Sequence, residues 1–466
     1  MIASDSKRVI DERVGEVAGV GDDAADLEFA ALLDQRDFHM VFQPLVNLKT
    51  GEIVALEALA RGPESTRLAS PLALFEAARR ANRVAELDWA CRAAAFRAFL
   101  EADVPTAMSL FVNVEPEAIA SGCPADLVQV VFKAESRLRV FVQVNDRAMA
   151  ADPAGVLAAV DHAREKGWGV AIDDVGNSRA PIAMLPIVSP DVVKLALRRL
   201  EAASDEDSSA IITSVLRHIE RTGAALLVEG IESEDDARWA RALGAVYGQG
   251  HHLGKPGPLL AKYANPRAPI PLIKVAPTDL QVASPFELFE GGPHERASGT
   301  HLDKLARLLA YGPRPNGTRC VFLACFGREG EIPAELLEHG TTEETLLFVA
   351  FGTGLAAEPF LGGRGVRLVE DDPFADEKFL IVLSDQAPVA IFARASSNGL
   401  YDVVVTQDFE LVHEIARHLM RRVPAPGPNN YALGGPEPEN ESPDEEEVSV
   451  ESTPKRGWRG WRSAQT

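Results

Sequence analysis

Seven apolar runs in this chain each end on a polar side chain: Glu57, Asn113, Gln143, Asp173 followed directly by Asp174, Lys194, Glu229 and Gln249. An acid at a single strand end is commonly no more than a cap for the next helix. Three separate acidic positions together with Asn113 and Lys194 suggest a shared task. Carboxylate and amide oxygens are the ligands that hard divalent cations such as Mg2+ or Mn2+ take. Adjacent Asp173 and Asp174 are suited to bridging or dividing two ions, an arrangement that activates water against a phosphodiester. Lys194 would then orient that water or stabilise charge developing on phosphate. The competing account, unrelated caps and surface ion pairs, makes the pattern a coincidence.

These side chains converge only if their strands share a direction. Between about residues 25 and 262 the runs "HMVFQPLV", "IVALEALA", "MSLFVNV", "RVFVQVN", "WGVAIDD", "DVVKLA", "ALLVEG" and "AVYGQG" alternate with helix-period segments. One such segment is "AIITSVLRHIERTG", with Ile211, Val215 and Ile219 on one face. Short, nearly continuous apolar runs joined by helices predict parallel strands covered on both faces. Eight of them in this length predict an α/β fold closed as a (β/α)8 TIM-like barrel, whose strand C-termini share one face. "NLKTGE" has hairpin spacing, which makes one of the first two strands a candidate to run antiparallel.

The 466 residues are too many for one ordinary domain. Residues 1–25 read as a flexible lead-in, 26–264 as the barrel and the proline-rich 265–279 as a linker. A smaller α+β unit over 280–424 follows, with a helix at "HLDKLARLLA" and strands at "RCVFLACF", "TLLFVAFG", "GVRLVED", "KFLIVLSD" and "PVAIFARA". "TQDFELVHEIARHLMRR" closes it as a helix, with Thr406 as its expected N-cap. The acidic "EPENESPDEEEVSVES" and the basic, tryptophan-bearing "KRGWRGWR" lie in a tail, 425–466, expected to be disordered.

A net charge of −22 excludes a general binder of nucleic acid polymers, which needs a basic footprint. Cys91, Cys123, Cys320 and Cys325 have no metal-ligand spacing and read as buried thiols. Cys320 and Cys325 are five apart on an extended run, so they should face opposite ways. The charged N-terminus has no signal-peptide core, and no apolar run approaches the ~20 residues of a transmembrane segment. A cytoplasmic location is the expectation.

"EALAR" (57–61), inside "FQPLVNLKTGEIVALEALAR", resembles the signature of EAL-domain cyclic di-GMP phosphodiesterases. "FVNV" with Asn113, "IDDVGN" with Asp173 and Asp174, "VVKL" with Lys194, "VEGIE" with Glu229 and Glu232, and "GQGHHLGKP" with Gln249 follow in the family's order. The resemblance covers about residues 30–262. It implies a modified barrel that binds cyclic di-GMP, pairs as a homodimer and, in active members, hydrolyses the nucleotide with two Mg2+ or Mn2+ ions. By position, Glu57, Asn113, Asp173, Asp174 and Glu229 would be metal ligands. Lys194 would position the attacking water and Glu232 would brace the loop after "IDD". Gln43, Arg61 and Gln249 would line the nucleotide pocket, Arg61 offering a forked cation to phosphate. Residues 280–424 resemble the DICT sensory domain, which implies signal input from a ligand or protein partner.

The sequence departs from the family at four places. Gln143 stands where active members carry a metal-binding Glu; the usual "E-[IL]-T-E" reads "QVND", with Asp146 last. Ala196 replaces an Asp, Ser178 replaces the last Gly of "DDFGTG", and His251 replaces an aromatic. A neutral amide cannot bind a cation bidentately, so the departures favour a protein that binds cyclic di-GMP with impaired hydrolysis. The alternatives are a competent phosphodiesterase that tolerates Gln143 and a nucleotide-independent interaction module.

Overall fold

All eight expected runs form strands that close into a barrel in chain order. They are β1 (His39–Asn47), β2 (Ile53–Arg61), β3 (Ser109–Asn113), β4 (Arg139–Val144), β5 (Gly169–Val175), β6 (Val192–Ala196), β7 (Ala225–Glu229) and β8 (Tyr247–Gly248). The computed structural model describes residues 19–424 except 120, 177–179, 276–279, 281, 311–319, 329–331, 334–335, 337–341, 343–344, 361 and 385–386, and omits the side chains of 19–25, 146–147 and 180–181. β1 runs antiparallel to β2 and β8, and every other neighbouring pair in the barrel is parallel. The short turn after β1 permits only this, because a parallel partner needs a long crossover. Asn47 Oδ1 closes that turn by accepting from the Lys49 and Thr50 amides at 3.0 and 3.1 Å.

Period-two alternation builds the interior in layers. Ala55, Phe111, Phe141, Ala171, Val192, Leu227 and Tyr247 belong to one buried apolar cluster inside the barrel. Two residues further along each strand stand Glu57, Asn113, Gln143, Asp173, Lys194, Glu229 and Gln249. A polar layer therefore rests on an apolar one. The Phe111 and Phe141 rings stack at 4.6 Å, and Gly169 leaves them room, since a Cβ there would come within 2.3 Å of Phe141. One expectation needs correction: Glu57 is not at a strand end. β2 continues to Arg61, and Glu57 enters the polar layer from mid-strand, opposite Gln43.

The base of the barrel is plugged by the proline-rich segment. Ile270 is fully buried in the inner apolar cluster, and Arg139 donates to its carbonyl at 2.9 Å. Asp191, itself buried, accepts from the amides of Val170 and Ile273, each at 2.7 Å. The chain is thus held to the barrel at Ile270 and Ile273, while Pro271 and Leu272 between them are exposed.

The second sheet holds β9 (Glu295–Ser298), β10 (Cys320–Cys325), β11 (Thr345–Thr353), β12 (Gly363–Leu368), β13 (Glu377–Leu383), β14 (Val389–Ala395) and β15 (Leu400–Thr406). Its order is β12-β11-β10-β13-β14-β15-β9. The five expected strands are β10 to β14; β9 and β15 are additions. The expected helices lie at Gly299–Ala310 and Phe409–Met420. Thr406 does not cap the second. It ends β15, and Asp408 is the cap, accepting from the Leu411 amide at 3.1 Å while Thr406 Oγ1 accepts from the Asp408 amide. Cys320 and Cys325 face opposite sides of the sheet, as alternation requires. All four cysteines are free thiols, and Cys123 is only half-buried. Among the described residues no helix is long and apolar enough to cross a membrane.

Helix Phe409–Met420 joins the sheet to the barrel. Its Val412, Ile415 and Leu419 share one buried cluster with Ile182, Leu185 and Ile187 of barrel helix Ala180–Val188. The last carbonyls of a helix lack internal donors and face the negative end of its dipole. Two guanidinium groups supply donors here. Arg417 Nε donates to Ile187 O at 2.8 Å, and Arg164 Nη2 donates to the carbonyls of Val188 and Ser189 at 2.8 and 2.7 Å. Burial pulls Arg417 down to about 10, still charged at neutral pH.

His413 on this helix and His218 on barrel helix Asp205–Thr222 are both buried. Between them Arg221 covers the Phe409 ring at 3.9 Å and pairs with Glu410 at 3.0 Å. His413 Nδ1 lies 2.7 Å from Phe409 O, and His218 Nδ1 lies 3.3 Å from Arg221 Nη2. Burial first, then the Arg221 charge, hold His218 at about 3 and His413 at about 4; Phe409 O and Glu410 pull His413 back up, while Arg417 lowers it further. An unfolded histidine titrates near ~6.5. Below that pH the unfolded chain binds more protons, so stability falls as pH drops from about 6.5 towards 4. The loss should reach about 2 kcal/mol per histidine by about pH 5. Denaturant titrations at about pH 7.5 and 5 should show this, and a His218→Asn, His413→Asn double variant should lose less over that interval. Equal losses would refute the assignment.

Candidate functional site

At the mouth of the barrel one ammonium is surrounded by acids. Lys194 Nζ lies 2.8 Å from Glu229 Oε1, 2.9 Å from Asp173 Oδ1 and 3.2 Å from Glu57 Oε1, with its side chain only 1% exposed. Burial alone would lower its pKa, but the charges of Asp173, Glu229 and Glu57 raise it well above the usual lysine value. The lysine is a fixed cation. Glu229 responds the other way: burial, with Asp173, Glu57 and Asp174 nearby, pushes it up to about 8 against the pull of Lys194. Four carboxyl groups thus gather at one mouth around this buried ammonium.

Gln143 is tied into the same layer as a donor. Its Nε2 lies 2.6 Å from Glu57 Oε1 and 2.8 Å from Asn113 Oδ1. A carboxylate can only accept, so the NH2 end of the amide must face Glu57. Gln143 Oε1 is then buried without a hydrogen-bond partner. Gln249 repeats the pattern, donating to Glu57 Oε2 at 2.6 Å and to Gln43 Oε1 at 3.0 Å, while Gln43 donates to Gly254 O at 3.2 Å. Both oxygens of Glu57 thus accept from neutral amides.

Consecutive residues on a strand point to opposite faces, yet Asp173 and Asp174 both serve this site. The pairing of β5 with β6 breaks register between Ile172 and Val175, and Asp174 adopts φ 60°. A bulge with one residue in the left-handed region re-aims its neighbour in this way. Asp173, Asp174 and Glu229 consequently offer three carboxylate oxygens within 4.8 Å of one another, a donor set that fits a divalent cation.

Two supporting residues escape notice in the sequence. Arg199 lies 3.5 Å from Asp174. Asp88, buried on helix Val84–Glu101, accepts from the Glu115 amide at 3.2 Å and from Arg92 at 2.7 Å, fixing the turn after Asn113. Burial pushes Asp88 up to about 6. An acid on the apolar face of an alanine-rich helix was the available signal.

Other expected site residues stand apart from the cluster. Glu232 is half-exposed and pairs with Arg198 at 3.3 Å; residues 177–179, which include Ser178 of the loop it would brace, lie outside the described residues, as does the side chain of Asp146. Arg61 is half-buried beyond Glu57 and donates to Ala60 O; burial lowers its pKa while Glu57 raises it. Ala196 sits opposite Glu229 in the β6–β7 register and brings no ligand atom. His251 is exposed.

The site thus sits at the acidic mouth of a closed eight-stranded barrel whose first strand is reversed. Residues 26–256 match the EAL domain family and belong to it. Among curated relatives, the "Probable cyclic di-GMP phosphodiesterase PdeD" of Escherichia coli is 24% identical over 231 residues, covering 49% of this chain and 43% of the relative. The "Cyclic di-GMP phosphodiesterase RocR" of Pseudomonas aeruginosa is 26% identical over 233 residues, covering 48% of this chain and 59% of the relative. The chain thus spans about half the length of these relatives. A solved structure of the Xanthomonas citri FimX EAL domain in complex with c-diGMP matches 53% of this chain and 97% of its own at 17% identity, with a TM-score of 0.44.

Removing the central cation should expose its importance. Lys194→Met leaves Glu57, Asp173 and Glu229 uncompensated, and without added divalent cation it should cost on the order of 3–5 kcal/mol of stability. Urea denaturation monitored by circular dichroism measures this. A variant as stable as the parent would show that the acids do not need the ammonium.

Proposed function

We propose that the barrel binds cyclic di-GMP, hydrolyses it weakly or not at all, and passes its state to the unit over 280–424. The observation that carries this reading is the Gln143 amide donating to Glu57 and Asn113 at once. Where active members of the family carry a ligating acid, this chain has a neutral donor that occupies the oxygens of two other ligands. Ala196 removes a further acid beside Glu229. Asp173, Asp174 and Glu229 would hold a divalent cation, Mg2+ or Mn2+, with Glu57 and Asn113 as further oxygen donors and a second ion's place weakened. When bound, the cation supplies positive charge that acidifies water and stabilises phosphate.

The chain's own side chains have definite tasks in this reading. Lys194 balances the acids and orients water. Arg61, Gln43 and Gln249 hold the nucleotide, the guanidinium against a phosphate, and Glu232 has the bracing role after "IDD" that the family resemblance implies. The unit over 280–424 is a DICT-like sensory module, and a homodimer through the barrel completes the assembly. The names of the curated relatives support the nucleotide. A competent phosphodiesterase is the second reading, favoured by the three acids still gathered within 4.8 Å.

Calorimetry with cyclic di-GMP should show binding, while chromatography of the linear product in Mg2+ or Mn2+ should show turnover well below ~1 s−1, the low end of ordinary enzymes. Gln143→Glu should raise turnover by at least about tenfold and make divalent cations more stabilising in thermal melts. Parent turnover at ~1 s−1 or above would favour the competent enzyme. Absence of binding would leave the interaction module.

A further inference from the structure

The helix that follows β6 brings two consecutive arginines to the rim of the barrel. It runs from Leu197 to Ala202, and its buried Leu197 and Leu200 fix which way it lies. The loops on both sides of it hold it in place. On one side the chain leaves the Asp173–Asp174 bulge through Gly176, at φ 133°. A Cβ there would come within 3.1 Å of Ala196 O and 3.5 Å of Leu200 Cγ, so only glycine lets the bulge settle on the helix. On the other side Arg198 pairs with Glu232 at 3.3 Å and with Asp236 at 2.8 Å. Asp236 in turn accepts from the amides of Glu232 and Ser233, which ties the helix to the loop after β7.

So fixed, the helix directs Arg199 at the bulge. Arg199 Nη2 lies 3.5 Å from Asp174 Oδ1, and the arginine side chain is only 15% exposed. Its Nη1 is buried without a hydrogen-bond partner. A guanidinium carries five donors and leaving one unmade is costly, so hydrogen bonding alone does not account for its place. What the position does supply is a permanent charge beside Asp174, since arginine does not deprotonate. Asp174 is also one of the three acids whose oxygens gather within 4.8 Å. A divalent cation drawing on Asp174 would meet the guanidinium as a like charge, and that repulsion is strong where water is excluded. We propose that Arg199 is a tethered cation that competes with a divalent ion for Asp174, so that the barrel takes one ion readily and a second poorly. This inference rests on the divalent-cation site of the proposed function and deepens it: beside Gln143 and Ala196, the chain carries a side chain that opposes the second ion outright.

The probe is Mn2+, titrated into the full chain without nucleotide, with the free ion counted by electron paramagnetic resonance. The parent should bind about one ion per chain, with any second at least about tenfold weaker. Arg199→Gln should tighten the weaker ion by at least about tenfold. Arg199→Ala should do the same, and covers the case in which the glutamine amide itself takes hold of Asp174 or the variant fails to fold. Arg199→Lys, which keeps the charge, should stay within about threefold of the parent. Adding Asp174→Asn to Arg199→Gln should abolish the gain, which a merely structural role for the arginine would not require. Parent-like binding in both neutral variants, an equal gain in Arg199→Lys, or a gain that survives Asp174→Asn would each overturn the proposal. Those results would leave the cation site standing. Absence of Mn2+ from the parent and every variant would overturn both the inference and the site on which it rests.

Discussion

Burying an ammonium among carboxyl groups is the constraint on which this barrel's mouth is built. Lys194 reaches Glu57, Asp173 and Glu229 at hydrogen-bond distance from a position closed to water. Charges removed from water are tolerated only when paired and hydrogen-bonded, and removal of one partner strands the others. The amides of Gln143 and Gln249 complete that requirement by donating to Glu57. The polar layer is thus a network whose acids are paired while the Gln143 and Gln249 Oε1 atoms lack partners, and Asp173, Asp174 and Glu229 cluster at one side of it. Its two halves differ in chemistry. The Asp173 side is acidic and rich in like charge; the Glu57 side is knitted shut by neutral donors.

That network needs a dry foundation. The apolar layer two residues earlier on each strand supplies it, with the Phe111–Phe141 stack at its centre and Ile270 closing it from below. Period-two geometry thereby converts one sequence rule, an apolar residue succeeded two positions later by a polar one, into two stacked rings of opposite character. The outward positions between them, Leu110, Val142, Ile172 and Val193 among others, are free to pack beneath helices. Chemistry and stability are carried by alternate residues of the same strands.

Most of this architecture was legible because it rests on periodicity. The eight barrel strands, their closure and the polar set apart from the mid-strand place of Glu57 derive from apolar runs and spacing alone, and so does the opposite facing of Cys320 and Cys325. Features that periodicity does not encode were missed. β9 is four residues long, charged and at the sheet edge, so it has no apolar signature. β15 did carry one in Val403, Val404 and Val405, and its misreading displaced the cap from Asp408 to Thr406. The donor direction of Gln143, the bulge that re-aims Asp173 and Asp174, and the Asp88 anchor depend on partners distant in sequence. A one-dimensional pattern identifies which residue types meet, not which lone pairs they use.

The barrel and the sheet read as separate beads on a string, divided by prolines. Their packing denies that independence. Ile270, beyond the last barrel strand, is part of the barrel's own interior, and Arg417, near the end of the described chain, terminates the barrel helix that succeeds the Asp173–Asp174 bulge. Excision at residue 264 would open the base and remove the Arg417 donor from the Ile187 carbonyl. This EAL domain is therefore not a portable cassette: exchange of its C-terminal neighbour for an unrelated unit would require the barrel to be repaired at both places.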